Sequence, residues 1–356
     1  MIGAGIIGCA IARELAVGGA RVTVLEMSQI ASGATQASAG VLAPYIEAPA
    51  RGPLLDLTSR SLSMYEHFIE SLAAEGAPVE YRRSGSLEFA HDTASVNRLR
   101  DEQRLFPDQL QWLDREAARA CEPSVYEGIE GALLAPAHGY VRVPQLVAAL
   151  ARSAAAHGAV IRTGTRVTGI RQSPAGLAVD IDGGGFVTSP HVVLASGSWG
   201  DVLPIERGRP QGIRPVRGQL LRIGWDGPPI TRVLWGAECY IVPWRDGTLL
   251  VGATVEDVGF DQRTTLAGVR DLMDAACALL PRAWRATLLE ARAGLRPGSS
   301  DGLPVVGPSG TIEGLTYAVG HYRNGILLTP LTARIVADWI TSGQRDPALA
   351  MMRPDR

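Results

Sequence analysis

The apolar positions divide the chain into two alternating textures. Near the start, Ile6 to about Val17 repeats apolar residues at helical spacing, and Gly18-Gly19 stops the run. Arg21 to Glu26 follows as a short buried strand. Between about Leu54 and Leu72, the apolar residues Leu55, Leu62, Tyr65, Phe68, Ile69 and Leu72 mostly keep the spacing of an amphipathic helix. Ser86 to Ala90 reads as a strand, and helices are predicted around Ala94–Leu105 and Asp114–Ala120. Val143 to His157 is an Ala-rich helix. Val160–Arg162 and Arg166–Arg171 are strands, and Leu177–Ile181 with Phe186–Thr188 form a hairpin around Gly183-Gly184-Gly185. His191–Ala195 is a buried strand that ends in the Gly-rich turn Ser196–Gly200.

From Arg214 the pattern changes to longer alternating strands: Val216–Ile223, Thr231–Trp235, Tyr240–Trp244 and Leu249–Ala253. A helix at about Thr265–Leu279 follows, then a strand from Leu288 towards Leu295. Near Arg296 the Gly-rich texture returns, with Asp301–Gly307, a strand at Leu315–Val319, and Gly320–Gly325 leading into a last helix that ends near Ser342. The polar tail is expected to fray.

The first helix opens on Gly3-Ala4-Gly5-Ile6-Ile7-Gly8, which fits G-x-G-x-x-G. The first glycine permits a tight turn, the second lets a pyrophosphate approach the backbone, and the third lets helix pack on strand. The helix N-terminus points its free amides at the phosphates. Glu26 closes the second strand, 26 − 8 = 18 positions after the last glycine. That is close to the offset of roughly 20 for an acid holding a ribose hydroxyl pair, and it argues for FAD or NAD over NADP. The run Ser32–Pro44 is made of very small residues, as backbone passing close to a flat, large group requires. Only Met1 and Ile2 precede Gly3, where a strand of about five residues is expected. A protein starting there would lack its central strand, which bears on folding and cofactor retention.

Together these readings predict an α/β (α+β) chain. A discontinuous Rossmann-like cofactor domain at 1–80, 140–212 and 296–345 would carry an inserted antiparallel-sheet domain at 81–139 and 213–295, with the active site between them. The formal net charge of −2 and the lack of a long basic run favour neither nucleic acid nor an anionic membrane. No apolar stretch approaches a membrane span, and no signal peptide is visible. Cys9, Cys121, Cys239 and Cys277 are far apart and suggest neither a metal site nor a disulfide framework, so a reducing cytoplasm is expected.

At this point the chain resembles the D-amino-acid-oxidase-type flavoproteins, and within them the glycine-oxidising branch of the thiamine pathway. The resemblance rests on Gly3–Gly8, Glu26, Ala31-Ser32-Gly33 through Leu42, Ala195–Trp199 and Pro215–Gln219. It continues through Cys239–Pro243, Ala293–Gly298, Asp301–Gly307 and Gly320–Leu328, in the family's order. It implies noncovalent FAD, since no cysteine stands near Arg296–Gly302 where some relatives attach the flavin. The cofactor positions it implies are Gly3, Gly5, Ile7, Gly8, Glu26, Ser32, Gly33, Ser38, Ala39, Gly40, Val41, Val167, Ser196, Gly197 and Trp199, then Gly320 and Tyr322 to Ile326 (Arg323, Asn324 and Gly325 between them).

By the same resemblance Arg296 grips the substrate carboxylate, Tyr240 adds a hydroxyl to it, and Arg323 helps place substrate or steadies charge on the reduced ring. The plainer alternatives are a surface or ion-pairing arginine for Arg296, which its Gly-Leu-Arg-Pro-Gly setting disfavours, core for Tyr240, and a helix-start arginine paired with a loop acid for Arg323. Val41, Glu238 and Val255 are expected at the substrate pocket, where they depart from familiar relatives. His321 is the one histidine worth testing. The implied reaction is oxidation of glycine, sarcosine or D-alanine to the imine, with O2 reduced to H2O2 and hand-off to thiazole synthesis. A dehydrogenase for D-amino or N-methyl amino acids, using a quinone or electron-transfer protein, is the alternative. Family analogy suggests a homotetramer.

Overall fold

The computed structural model describes residues 1–48, 50–208 and 211–356; Pro49, Arg209 and Pro210, which fall within the expected segments 1–80 and 140–212, lie outside the described residues. The first helix is Ile6–Val17, and ten of its residues are buried, Ile6 to Arg13 together with Leu15 and Ala16. Small side chains such as Ala10, Ala12, Ala149 and Ala154, each fully buried, let it pack against the helices Val143–Ala156 and Thr329–Ser342. Gly343 closes the last of these in the left-handed conformation, φ +70°, which glycine adopts without strain.

These helices cover a parallel layer. Thr23–Leu25 pairs in parallel with Val160–Arg162, and Val192–Leu194 pairs in parallel with Leu315–Val319, which is joined antiparallel by Val305–Pro308. Between the two halves stands Ile2, bridged in parallel to both Leu25 and Leu194. Met1 and Ile2 therefore occupy the central position of the layer, with Ile2 N–H donating to the Val193 carbonyl at 2.9 Å.

The second layer is an eight-stranded sheet. Its order is Thr287–Gly298, Arg214–Gly224, Thr248–Gly252, Tyr240–Pro243, Val233–Trp235, Ser86–Ala90, Gly131–Ala135, Gln111–Asp114. All pairings are antiparallel except Val233–Trp235 with Ser86–Ala90. Segments from both sides of residue 140 thus share one sheet. The strand Thr287–Gly298 runs through Arg296, past the expected boundary at 295/296. A meander of Val167–Ser173, Gly176–Ile181 and Phe186–Ser189 forms a separate sheet whose Ile170, Leu177 and Val179 share a core with Ile2, Leu25 and Leu194 of the parallel layer.

Among the described residues six strands were not anticipated: Val41–Leu42, Tyr81–Arg82, Gln111–Asp114, Gly131–Ala135, Gly139–Val141 and Val305–Pro308. They are short and weakly alternating, so their strand state comes from the ladder they join. The tail also corrects its expectation. Leu349–Met352 is a helical turn with Leu349 and Met352 buried, and Arg356 pairs with Asp301 at 2.7 Å. Among the described residues no helix is long and apolar enough to cross a membrane.

Candidate active site

A cavity of about 530 Å³ opens between the parallel layer and the eight-stranded sheet. Its long wall is mostly backbone. Gly3, at φ +100°, places its Cα so close to the next turn that a Cβ would lie 2.5 Å from the Ala195 carbonyl oxygen. A Cβ on Gly8 would sit 2.1 Å from the Gly3 carbonyl oxygen, so Gly8 seats the helix on the turn while not itself lining the cavity. Gly5 and Ile7 do line it. The helix has no side-chain cap at Gly5, and Thr35 Oγ1 accepts the Ile6 N–H at 3.0 Å. The remaining amides of the first turn have no intrahelical acceptor and are suited to an anion.

Glu26 is buried at the end of the second strand. Its carboxylate accepts the Ala4 N–H at 2.8 Å and the Ser28 N–H at 2.9 Å, which fixes both oxygens and leaves lone pairs for hydroxyl donors. Ser32, Gly33, Ser38, Ala39, Gly40 and Val41 continue the wall, joined by Val167, Ser196, Gly197 and Trp199. Ser196 Oγ is buried without a partner in the protein, an orphaned polar atom facing a cavity. Tyr322, Arg323, Gly325 and Ile326 line the opposite side; Gly320 and Asn324 lie behind them, Asn324 being buried. Free first-turn amides, a fixed acid and a glycine crossing fit a dinucleotide in residue type and place.

The other end of the cavity is made of side chains carried by the eight-stranded sheet. Arg296 stands opposite Val216 in the register. Its Nη1 donates to the carbonyls of Thr254 at 3.0 Å and Arg217 at 3.4 Å, and among the described residues it meets no carboxylate. The guanidinium is therefore a cation oriented by neutral acceptors, with donors left over. Tyr240 is beside it: burial raises its phenol pKa, while Arg296 and Arg323 oppose the rise, so the hydroxyl stays protonated at neutral pH. Arg323 differs in that Glu47 neutralises it at 2.9 Å. Glu47 and Gln262 line the cavity too, and nothing in the sequence singled them out.

Two glycines were also missed. A Cβ on Gly218 would fall 2.2 Å from both terminal nitrogens of Arg296, and one on Gly252 would fall 2.5 Å from the Tyr240 hydroxyl. Both clear space for the side chains that face the cavity. Only the pairing across four strands reveals them. Val41 and His321 line the cavity as expected, but Glu238 and Val255 do not; both are exposed. Each follows or precedes a strand end where the chain turns outward. His321 is buried, its Nε2 lies 3.0 Å from Thr332 Oγ1, and desolvation pushes its pKa down to about 3. It is a neutral packed imidazole at working pH.

A model of the FAD dependent oxidoreductase family, DAO, matches residues 1–339. The chain belongs to this family. Glycine oxidase from Geobacillus kaustophilus is 35% identical over 346 residues, covering 96% of this chain and 92% of that protein. The bifunctional protein ThiO/ThiG of Synechocystis sp. is 35% identical over 368 residues, covering 100% of this chain but 53% of its own length, so the chain spans about half of that relative. The crystal structure of the Geobacillus kaustophilus glycine oxidase superposes with a TM-score of 0.93 at 34% identity, covering 100% of this chain and 97% of that one. Iminodiacetate oxidase from Chelativorans sp. superposes with a TM-score of 0.89 at 27% identity, covering 99% and 98%. The protein is thus an FAD-dependent oxidoreductase, and FAD is its cofactor. Among the described residues no cysteine lines the cavity.

Proposed function

We propose that this flavoenzyme oxidises glycine, and other small amines such as sarcosine or D-alanine, to the imine, with O2 as acceptor and H2O2 as product. The observation that carries this reading is Arg296, an uncompensated guanidinium at the cavity end away from the glycine turn. A planar fork of donors matches a carboxylate bidentately. Tyr240 adds a neutral hydroxyl donor to the same group. Arg323, already paired with Glu47, contributes little net charge and helps bound the site.

FAD, held noncovalently by the backbone wall from Gly3 to Gly5 and by Glu26, would supply the acceptor for the hydride of the amine's α-carbon and the route of its electrons to oxygen. The protein's work is alignment and charge. Arg296 and Tyr240 fix the carboxylate, and with it the direction of the α-carbon. No acid or base is required if the amine enters neutral, and His321 is too far from titration at working pH to act as one. The relatives named for glycine oxidation and for the fused ThiO/ThiG protein support glycine as substrate and thiazole synthesis as the outlet. By the same analogy the protein acts in the cytoplasm as a homotetramer. The test is the visible spectrum of the purified protein without oxygen, before and after glycine. Bleaching of a yellow protein is expected. A yellow protein that glycine leaves oxidised would refute the substrate assignment.

A further inference from the structure

The segment after Gly252 crosses back over the sheet and supplies the Thr254 carbonyl that aims Arg296. It carries no repeating strand or helix through residue 264, so something else must hold that carbonyl. The structure contains a buried polar cluster at this place. Glu256 exchanges two backbone hydrogen bonds with Arg217, each 2.9 Å. Its carboxylate accepts from Arg217 Nη2 at 2.5 Å, from Gln219 Nε2 at 2.8 Å and from Thr254 Oγ1 at 2.5 Å. Arg217 and Gln219 are almost fully buried on the strand Arg214–Gly224, next to the edge strand that carries Arg296. The Gln219 N–H in turn donates to Thr254 Oγ1 at 2.9 Å. Thr254 is thus tied directly to Gln219, also through its own N–H to the Gln219 carbonyl at 3.3 Å, and the Glu256 carboxylate adds a bond to the Thr254 hydroxyl while holding the side chains of Arg217 and Gln219 on the same strand.

We propose that Glu256 is a positioning residue for the carboxylate grip. By pinning Thr254 to Gln219 and Arg217 it fixes the direction of the carbonyl to which Arg296 Nη1 donates, and so the aim of the free donors. Glu256 itself does not line the cavity and touches no substrate. The inference rests on the proposed role of Arg296. The alternative is that the cluster only satisfies buried polar groups and leaves the grip untouched.

The two are separated by comparing glycine with its ethyl ester in the holoenzyme. The ester lacks the anionic carboxylate, so the ratio of kcat/KM for glycine over the ester reports the grip specifically. Glu256→Ala is expected to lower this ratio about tenfold, through KM for glycine more than kcat, with flavin retained. Glu256→Gln keeps an acceptor for Thr254 and should recover most of the loss. The dissociation constant of acetate, read from the flavin absorbance, should rise in parallel. Should Glu256→Ala not fold, Glu256→Gln is read alone, and a ratio about threefold below that of the parent is expected. An unchanged ratio in the folded variants, while Arg296→Ala collapses it, overturns the positioning role alone. An unchanged ratio in Arg296→Ala overturns the grip and this inference with it.

Discussion

The two walls of the cavity are built from different material. The wall on the parallel layer is made by backbone: glycines at crossings, amides of a helix start, and one acid held by two N–H groups. The wall on the eight-stranded sheet is made by long side chains, Arg296 and Tyr240, that reach past Gly218 and Gly252. A backbone wall suits a large invariant cofactor, because its hydrogen bonds do not depend on rotamers. A side-chain wall suits a small substrate, because one guanidinium can be aimed without altering the fold. The difference predicts different kinds of failure on mutation.

The largest effect is expected from Arg296→Ala. Losing two charge-assisted hydrogen bonds removes ~3–4 kcal/mol, so kcat/KM for glycine should fall by about two to three orders of magnitude. Flavin content should stay normal, as checked by the absorbance of the purified variant. Loss of flavin in that variant would break the division between the walls.

Gly8→Ala should do the reverse. The Cβ would meet backbone at 2.1 Å, which cannot move cheaply. The expected outcome is a colourless or poorly folded protein, with a stability loss of at least ~2–3 kcal/mol on denaturant titration. Gly218→Ala sharpens the comparison. There the clash, at 2.2 Å, is with the flexible end of Arg296. Stability should change by about 1 kcal/mol or less, while KM for glycine rises by about tenfold.

A further effect, on stability and not on the grip, concerns pH. His321 and His138 are both buried, and desolvation pushes each from 6.5 to about 3. In the unfolded chain they protonate near 6.5, so the unfolded state binds more protons below that pH. The stability they contribute is complete above 6.5 and is lost as pH falls towards 3, at up to ~1.4 kcal/mol per pH unit for each histidine. His321→Asn should flatten this acid limb by about half in denaturant melts taken from pH 7 to pH 4. It should leave the pH dependence of kcat near neutrality unchanged, since a neutral His321 moves no proton there.

Legibility followed the same division. Gly3, Gly5, Gly8 and Glu26 were readable because a tight turn and a helix start impose local backbone demands that few residue types meet. Helices such as Ile6–Val17 and Val143–Ala156 announce themselves by periodicity within the segment. Glu47 gave no signal, because its partner Arg323 is 276 positions away. Glu238 and Val255 were assigned to the pocket by position along the chain, yet their side chains face outward. The strands Gln111–Asp114 and Gly131–Ala135 were invisible for a related reason: short strands take their state from the neighbours they pair with.

The sequence by itself determined the cofactor turn, the helices around it and the alternation of two textures. Those rest on forces within a few turns of chain: glycine's conformational freedom, helical periodicity and the free amides of a helix start. The tertiary structure alone decided which strands are neighbours in the eight-stranded sheet, including the parallel pairing of Val233–Trp235 with Ser86–Ala90 that joins its two halves. It decided also that Arg323 is neutralised and Arg296 is not, and that Gly218 and Gly252 clear the path to the cavity. Each of those outcomes is a contact between distant segments, set by sheet register and burial, which no local pattern encodes.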